Sequence, residues 1–339
     1  MKTISGGLGG IWASQKNFER RKILKITSKQ MEKKETIPIF FAADDGYLPF
    51  LDVAVTSLQE HINPQFDYVI YVLHAGISSR LAEKVMRHSR GGFSIRFVDV
   101  SDRLAEIVTC LQLRDYYTSA IYYRLFIVGM FPEYDKAIYL DCDTVILGDI
   151  SELYCTDLQG KLIGGVADLV VASVPTFGEY TQKALGVAKE SYFNSGVLVM
   201  NLQGLRNENF TADFFALLRR YDFRVAPDQD CLNVLCREKV HYFSREWNEM
   251  PQAQGECLQA PKIIHYNLAQ KPWYYEGIRY EEYFWKYAQQ SAFYADILAK
   301  KKGFTQEMRL RDEEGGRALL ALAQGEIERI EKCRCDVEE

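Results

Sequence analysis

The chain has 339 residues, 47% hydrophobic and 26% charged, with a net charge of −5. That length is enough to bury a large core, and the acidic balance argues against a nucleic-acid partner, which calls for a basic surface. No charge-free apolar run approaches the ~18 residues that cross a bilayer, and Met1 to Trp12 lacks the apolar segment of a secretory leader, so a cytoplasmic location is expected.

In chain order, the first 36 residues stand apart. Between Lys16 and Lys34 eight Lys/Arg face two Glu, with little sustained apolar pattern. Residues 1–36 therefore read as a basic, mobile or partly helical extension. Weak attraction to an anionic membrane surface is its secondary reading. From Ile37 strands and helices alternate. Ile37 to Ala43 is a strand, and a helix follows through Val53, Ala54, Ser57 and Leu58 with Pro49 in its first turn. Phe66 to Leu73 is the next strand, Ser78 caps a helix through Leu81, Val85 and Met86, and Phe93 to Val100 alternates as a third strand.

Thr118 to Met130 reads as an apolar helix interrupted by Arg124. Strands follow at Ala137–Leu140, Leu162–Ala167 and Val197–Leu202, and residues from Glu281 onward read as helices. This order predicts a largely parallel α/β sheet flanked by helices. With no internal repeat and no Pro-rich or Gly/Ser-rich linker, one catalytic domain over 37–276 with a helical extension over 277–339 is expected. The eight cysteines lack zinc-ribbon spacing and read as reduced thiols.

The apolar run Ala137-Ile138-Tyr139-Leu140 ends abruptly in Asp141-Cys142-Asp143. Carboxylates at the carboxyl end of a buried strand stand where ligands dock on α/β sheets, and a cation would satisfy them. Two other readings fit the same pair: solvated turn residues, and the Asp-x-Asp-x-Thr/Val pattern of phosphatases that use the first Asp as nucleophile. Further polar clusters follow other strands. Asp44 and Asp45 come after the first strand, where an acidic residue accepts hydrogen bonds from a ribose or base, or caps a turn. Asp168 interrupts a strand of small residues, Asn194-Ser195-Gly196 precedes another, and Pro227-Asp228-Gln229-Asp230 opens a helix. His265 ends the run Ile263-Ile264, with Lys271 six residues on and a Pro272-Trp273 closure. One His with two Asp makes a mixed nitrogen and oxygen set suited to Mn²⁺, and Lys271 would neutralise phosphate oxygens.

Taken together and in order, six segments resemble glycosyltransferase family 8: Phe41 to Asp45, Tyr123-Arg124-Leu125, Tyr139 to Asp143, Phe193 to Val197, Asp228-Gln229-Asp230, and His265 to Trp273. The family has the GT-A fold and holds retaining galactosyl- and glucosyltransferases related to glycogenin and bacterial lipooligosaccharide enzymes. The resemblance implies Asp141, Asp143 and His265 as Mn²⁺ ligands, and Ala42, Asp44 and Tyr47 around the uridine, Tyr47 by stacking. It places Arg124, Ser195 and Lys271 at the donor, with Asp168, Asn194, Asp228 and Gln229 holding the sugar. Leu268 departs from the pattern, since glycine is common after the metal histidine.

The implied activity is transfer of a galactose or glucose unit from a UDP-sugar to a saccharide or glycolipid acceptor, Mn²⁺-dependent and retaining. Its setting would be cell-surface glycan synthesis, in the cytoplasm or peripheral to the inner membrane face. Gln229 stands where double displacement needs a carboxylate, so front-face attack is favoured, with Asp230 the nearest alternative nucleophile. A non-catalytic nucleotide-sugar-binding protein and the Asp-nucleophile phosphatase are the rival readings.

Overall fold

The computed structural model describes residues 34–107, 119–251 and 256–338. Among these, nine strands are β1 (Thr36–Ala42), β2 (Asp67–His74), β3 (Phe93–Asp99), β4 (Lys136–Leu140), β5 (Thr144–Ile146), β6 (Ile163–Gly165), β7 (Val197–Asn201), β8 (Val240–Tyr242) and β9 (Ile263–His265). The helices up to the central strands are α1 (Leu48–Glu60), α2 (Ser79–Met86), α3 (Ser101–Ile107), α4 (Tyr123–Met130) and α5 (Ile150–Cys155). Those beyond are α6 (Leu169–Ser173), α7 (Pro175–Lys183), α8 (Leu202–Asn207), α9 (Phe210–Arg220), α10 (Pro227–Leu235), α11 (Glu281–Ala288), α12 (Tyr294–Gly303) and α13 (Gln306–Glu338).

Seven strands form one sheet in the order β3-β2-β1-β4-β7-β6-β8, and β5 pairs with β9 in a second, two-stranded sheet. The β3-β2-β1-β4 side is parallel throughout, whereas β7 runs antiparallel to both neighbours. The period of two along each strand explains the layering. Ile37, Ile39 and Phe41 of β1 enter one core with Ile138, Leu140, Val197 and Val199, while Phe40, Tyr139, Leu198 and Met200 enter the other. With both faces covered, the central strands read as near-continuous apolar runs.

Pro49 lies in the first turn of α1, as its fixed φ favours, and Ser78 precedes α2. Two expected elements are shorter than read. Ser119–Tyr122 is a 3-10 turn leading into α4, and β6 ends at Gly165, beyond which Ala167 makes only an isolated antiparallel bridge to Phe193. Cys142, Cys155, Cys231, Cys236 and Cys257 are free thiols. No helix among the described residues is long and apolar enough to cross a membrane. The basic stretch read as membrane-attracted lies, but for Lys34, outside the described residues.

Candidate active site

Strand pairing alone gathers the distant segments. The antiparallel register of β4 with β7 sets Leu140 opposite Val197, and Asp141 N–H continues the ladder to Gly196 O at 2.8 Å. The parallel pair β1–β4 brings Ala42 alongside, where its carbonyl accepts from Cys142 Sγ at 3.1 Å. The β5–β9 register places Thr144 opposite His265, and so the imidazole beside Asp143. Asp168 caps α6, accepting from Val170 N and Val171 N, and Asp228 and Gln229 lie in the first turn of α10. These elements wall a cleft of about 230 Å³.

At its head, one oxygen of Asp141, one of Asp143 and one nitrogen of His265 all lie within 4.8 Å of one another. Asp141 Oδ1 is taken by Arg124 Nη2 and Tyr139 Oη, each at 2.8 Å, leaving Oδ2 toward the imidazole at 3.7 Å from Nε2. Asp143 divides its oxygens in the same way. Lys271 Nζ donates to Oδ2, while Oδ1 is buried, sits 3.3 Å from His265 Nε2 and meets no hydrogen-bond donor among the described residues. Burial alone would push the Asp143 carboxyl up, but the Lys271 ammonium and His265 outweigh it and hold it well below the usual carboxylate range. Gly196 forms the floor: a Cβ there would lie 2.2 Å from His265 Cε1 and 2.6 Å from Asp141 Oδ2. A buried carboxylate oxygen lacking a donor, a second carboxylate oxygen and an imidazole nitrogen around a cradle that excludes a methyl group fit a divalent cation.

Arg124 is buried beneath this head. It donates to Ser195 O and Oγ at 2.5 and 2.9 Å, pairs with Asp228 at 3.2 Å and lies 4.4 Å over the Tyr139 ring. Burial works against its charge, yet Asp141, Tyr139 and Asp228 outweigh that effect and raise its pKa. Burial also pushes the Asp228 carboxyl up, against the pull of Arg124.

A second network lines the rest of the cleft. Asp168 Oδ2 accepts from Asn194 Nδ2 at 3.0 Å and Gln229 Nε2 at 3.1 Å, and Gln229 Oε1 accepts from Ser195 N at 2.9 Å. Both ends of the Gln229 amide are therefore used, which fixes its orientation. Asn233 pins the loop from behind through Phe193 N and O.

Eight residues proposed from sequence line this one cleft: Arg124, Asp141, Asp143, Asp168, Asn194, Ser195, Asp228 and Gln229, with His265 the ninth. Lys271 joins them through Asp143, held by Tyr266 O and by Trp273, which stacks on Phe50 at 3.8 Å. Ala42, Asp44 and Tyr47 lie outside the cleft lining, on the β1 side of Cys142. There Asp44 Oδ1 accepts from Tyr47 N at 3.0 Å, and the Tyr47 ring is partly exposed at the start of α1. Leu268, also in the cleft wall, adopts φ 59°, a left-handed conformation that costs a non-glycine residue roughly 1–2 kcal/mol.

Asp230, read as the nearest alternative nucleophile, is fully buried and accepts from Tyr180 Oη at 2.8 Å, Tyr192 Oη at 2.6 Å and Ala226 N at 3.0 Å. It does not itself line the cleft, but Tyr180, Tyr192 and Ala226, which do, stand between it and the cavity. Burial pushes its pKa up to about 7 despite the three donors. Sequence reasoning also missed Asn248, which is fully buried against His265 Nδ1 at 3.1 Å. The pairing of Glu249 with Ile264 that brings it there is non-local and leaves no pattern in the sequence.

Comparison with known proteins matches residues 38–277 to the Glycosyl transferase family 8 model. General stress protein A of Bacillus subtilis (strain 168) is 27% identical over 269 residues, 72% of this chain and 89% of its own. Lipopolysaccharide 1,2-glucosyltransferase of Escherichia coli (strain K12) is 26% identical over 269 residues, 73% of this chain and 76% of its own. Galactosyltransferase LgtC, solved with donor and acceptor sugar analogs, aligns with a TM-score of 0.62 and 28% identity over 76% of this chain and 96% of that one. The WbbM bifunctional glycosyltransferase aligns with a TM-score of 0.70 at 24% identity, a likeness of fold alone. It covers 79% of this chain and 52% of that longer one.

Proposed function

This chain belongs to glycosyl transferase family 8, with the family's GT-A fold and glycosyltransferase activity, and on that premise we propose that it moves a galactose or glucose unit from a UDP-sugar to a saccharide or glycolipid acceptor, with retention and with Mn²⁺. The observation that carries the reading is the split use of two carboxylates: Asp141 and Asp143 each commit one oxygen to a cation of the protein and turn the other toward His265.

Asp141, Asp143 and His265 would hold the divalent ion, which when bound would supply Lewis-acid stabilisation to a departing diphosphate. The chain's own groups do the remaining work. Lys271, buried against Asp143, adds a fixed positive charge beside the same phosphates. Ala42, Asp44 and Tyr47 hold the uridine at the end of β1. Asp168, Asn194 and Gln229 fix the hexose, and Arg124 anchors Asp141, Ser195 and Asp228 in one frame. With Asp230 locked by two tyrosines and an amide facing the sugar, attack by the acceptor hydroxyl on the leaving-group face is the supported route to retention.

A panel of nucleotide sugars assayed for nucleotide release with Mn²⁺ tests the donor. UDP-glucose or UDP-galactose should turn over, by slow hydrolysis in the absence of acceptor. Release from ADP- or GDP-sugars at equal rates would remove the case for a uridine pocket. Activity on a generic aryl phosphate without activity on UDP-sugars would restore the phosphatase.

A further inference from the structure

We infer that Asn248 is a positioning residue that sets the tautomer of His265, so that Nε2 presents its lone pair to the divalent ion. This role rests on the metal reading above and adds to it a residue outside the cleft lining.

Gly196 N–H is a backbone donor and can only donate. It reaches Asn194 Oδ1 at 3.0 Å, so that atom is the amide oxygen. The other end of the same amide faces Asp168 Oδ2 at 3.0 Å and must be the donating NH₂. Rotating Asn194 by half a turn would set its nitrogen against an N–H and its oxygen against a carboxylate. Asn194 is therefore fixed from both ends.

Its oxygen has a second lone pair, and Asn248 stands against it at 3.0 Å. An oxygen there would face an oxygen, so the atom is Nδ2 and it donates. The opposite end of Asn248 is then Oδ1, an acceptor, 3.1 Å from His265 Nδ1. Only a protonated Nδ1 satisfies it, because Asn248 and His265 are both buried and an unmade bond there leaves a polar group without water. In the neutral imidazole the proton on Nδ1 leaves Nε2 bare, directed at Asp143 Oδ1 and Asp141 Oδ2. Three acceptors then converge with no proton among them, an arrangement a cation relieves.

Asn248 is itself rigidly held. Glu249, fully buried, takes a two-point ion pair from Arg245 at 2.5 and 2.7 Å and a hydrogen bond from Tyr280 Oη at 3.1 Å. Backbone bonds from Glu249 N to Ile263 O and from His265 N to Glu249 O lace the segment to β9. Through Asn194 and Asp168 the same chain of hydrogen bonds continues to Gln229, so the donor-sugar residues and the metal histidine share one polar frame.

The test uses the full-length protein and two readouts. The first is the ¹⁵N spectrum of His265 in metal-free wild type, followed with rising pH until the ring is neutral. In the neutral ring a pyridine-like Nε2 and a pyrrole-like Nδ1 are expected, and a neutral ring protonated on Nε2 would overturn the inference without any variant being made. The second is Mn²⁺ affinity by electron paramagnetic resonance. Asn248→Ala should weaken it ~10- to 100-fold, the usual cost of losing a hydrogen-bond partner of a metal ligand, and should mix the two tautomers. Asn248→Asp keeps an acceptor at Nδ1 and should retain the wild-type tautomer in the neutral ring, while its second oxygen loses the bond to Asn194. Wild-type affinity in Asn248→Ala, to within about two-fold, would refute the positioning role. If wild type itself fails to bind Mn²⁺, the metal reading fails, and the imidazole spectrum alone decides what Asn248 does.

Discussion

Arg124 Nη2 reaches Asp141 Oδ1 at 2.8 Å and thereby decides which oxygen of that carboxylate faces His265. Lys271 does the same for Asp143. Each acidic residue is thus half neutralised by the protein and half presented, so two adjacent carboxylates are held together in a buried place.

Removing either carboxylate should remove the ion. Asp141→Ala and Asp143→Ala are expected to abolish Mn²⁺-dependent UDP release while circular dichroism stays that of the folded protein. In Asp143→Ala the buried Lys271 also loses its partner, which leaves a charge uncompensated and should lower the melting temperature more than Asp141→Ala does. Near wild-type release at low Mn²⁺ by either variant would contradict the ligand assignment.

Gly196→Ala is the smallest change that should empty the site. Its methyl group would fall 2.2 Å from His265 Cε1, closer than any real contact, so the imidazole must move. We expect Mn²⁺ affinity to fall at least ~10-fold, in the range that misplaced metal ligands show. Isothermal titration with Mn²⁺ checks this, and an unchanged binding constant would mean that the floor yields freely.

Gln229→Ala tests the sugar side. Losing one hydrogen bond to a developing charge costs about 1–3 kcal/mol, so turnover should drop roughly ten- to a hundred-fold without vanishing. The product should keep the donor's α configuration by NMR of the anomeric proton. Near-complete loss of turnover would instead mark Gln229 as indispensable to bond making, and a β-linked product would overturn retention.

Asp230 carries a pH dependence of its own. A carboxyl that titrates higher in the folded than in the unfolded chain binds its proton more tightly when native. Its contribution to stability is full below pH 3.8 and is lost as pH rises to about 7. Asp230→Asn mimics the protonated form at every pH. The stability of wild type relative to this variant should therefore fall between pH 5 and 8, by on the order of 2 kcal/mol. Urea unfolding of both proteins at the two pH values measures it, and parallel stability curves would show that the buried carboxyl titrates normally.

Much of the fold and the site is legible in the amino-acid sequence alone. The strands of the large sheet announce themselves because β1, β4 and β7 bury both faces and read as apolar runs. Asp141, Asp143 and His265 stand out because each follows or ends such a run. What the sequence hides depends on pairing across long stretches of chain. β5 and β8 have three residues each, too few for an alternation to show. Asp230 looks like its neighbours Asp228 and Gln229, yet one further step around α10 sets it behind Tyr180 and Tyr192, which cover it from the cleft. Asn248 has no motif at all, since its partners Asn194 and His265 lie 54 and 17 residues away.

The long helix α13 begins well past residue 277, where the family match ends. Leu319 on it nevertheless lines the cleft, and Ala323 and Ile327 are buried in the core beside it, with Glu326 paired to Arg224. One side of the cleft is thus completed by a segment outside the family match, which carries none of the proposed metal or donor groups. A protein cut back to the matched segment would keep all the proposed chemical groups and lose that side of its mould.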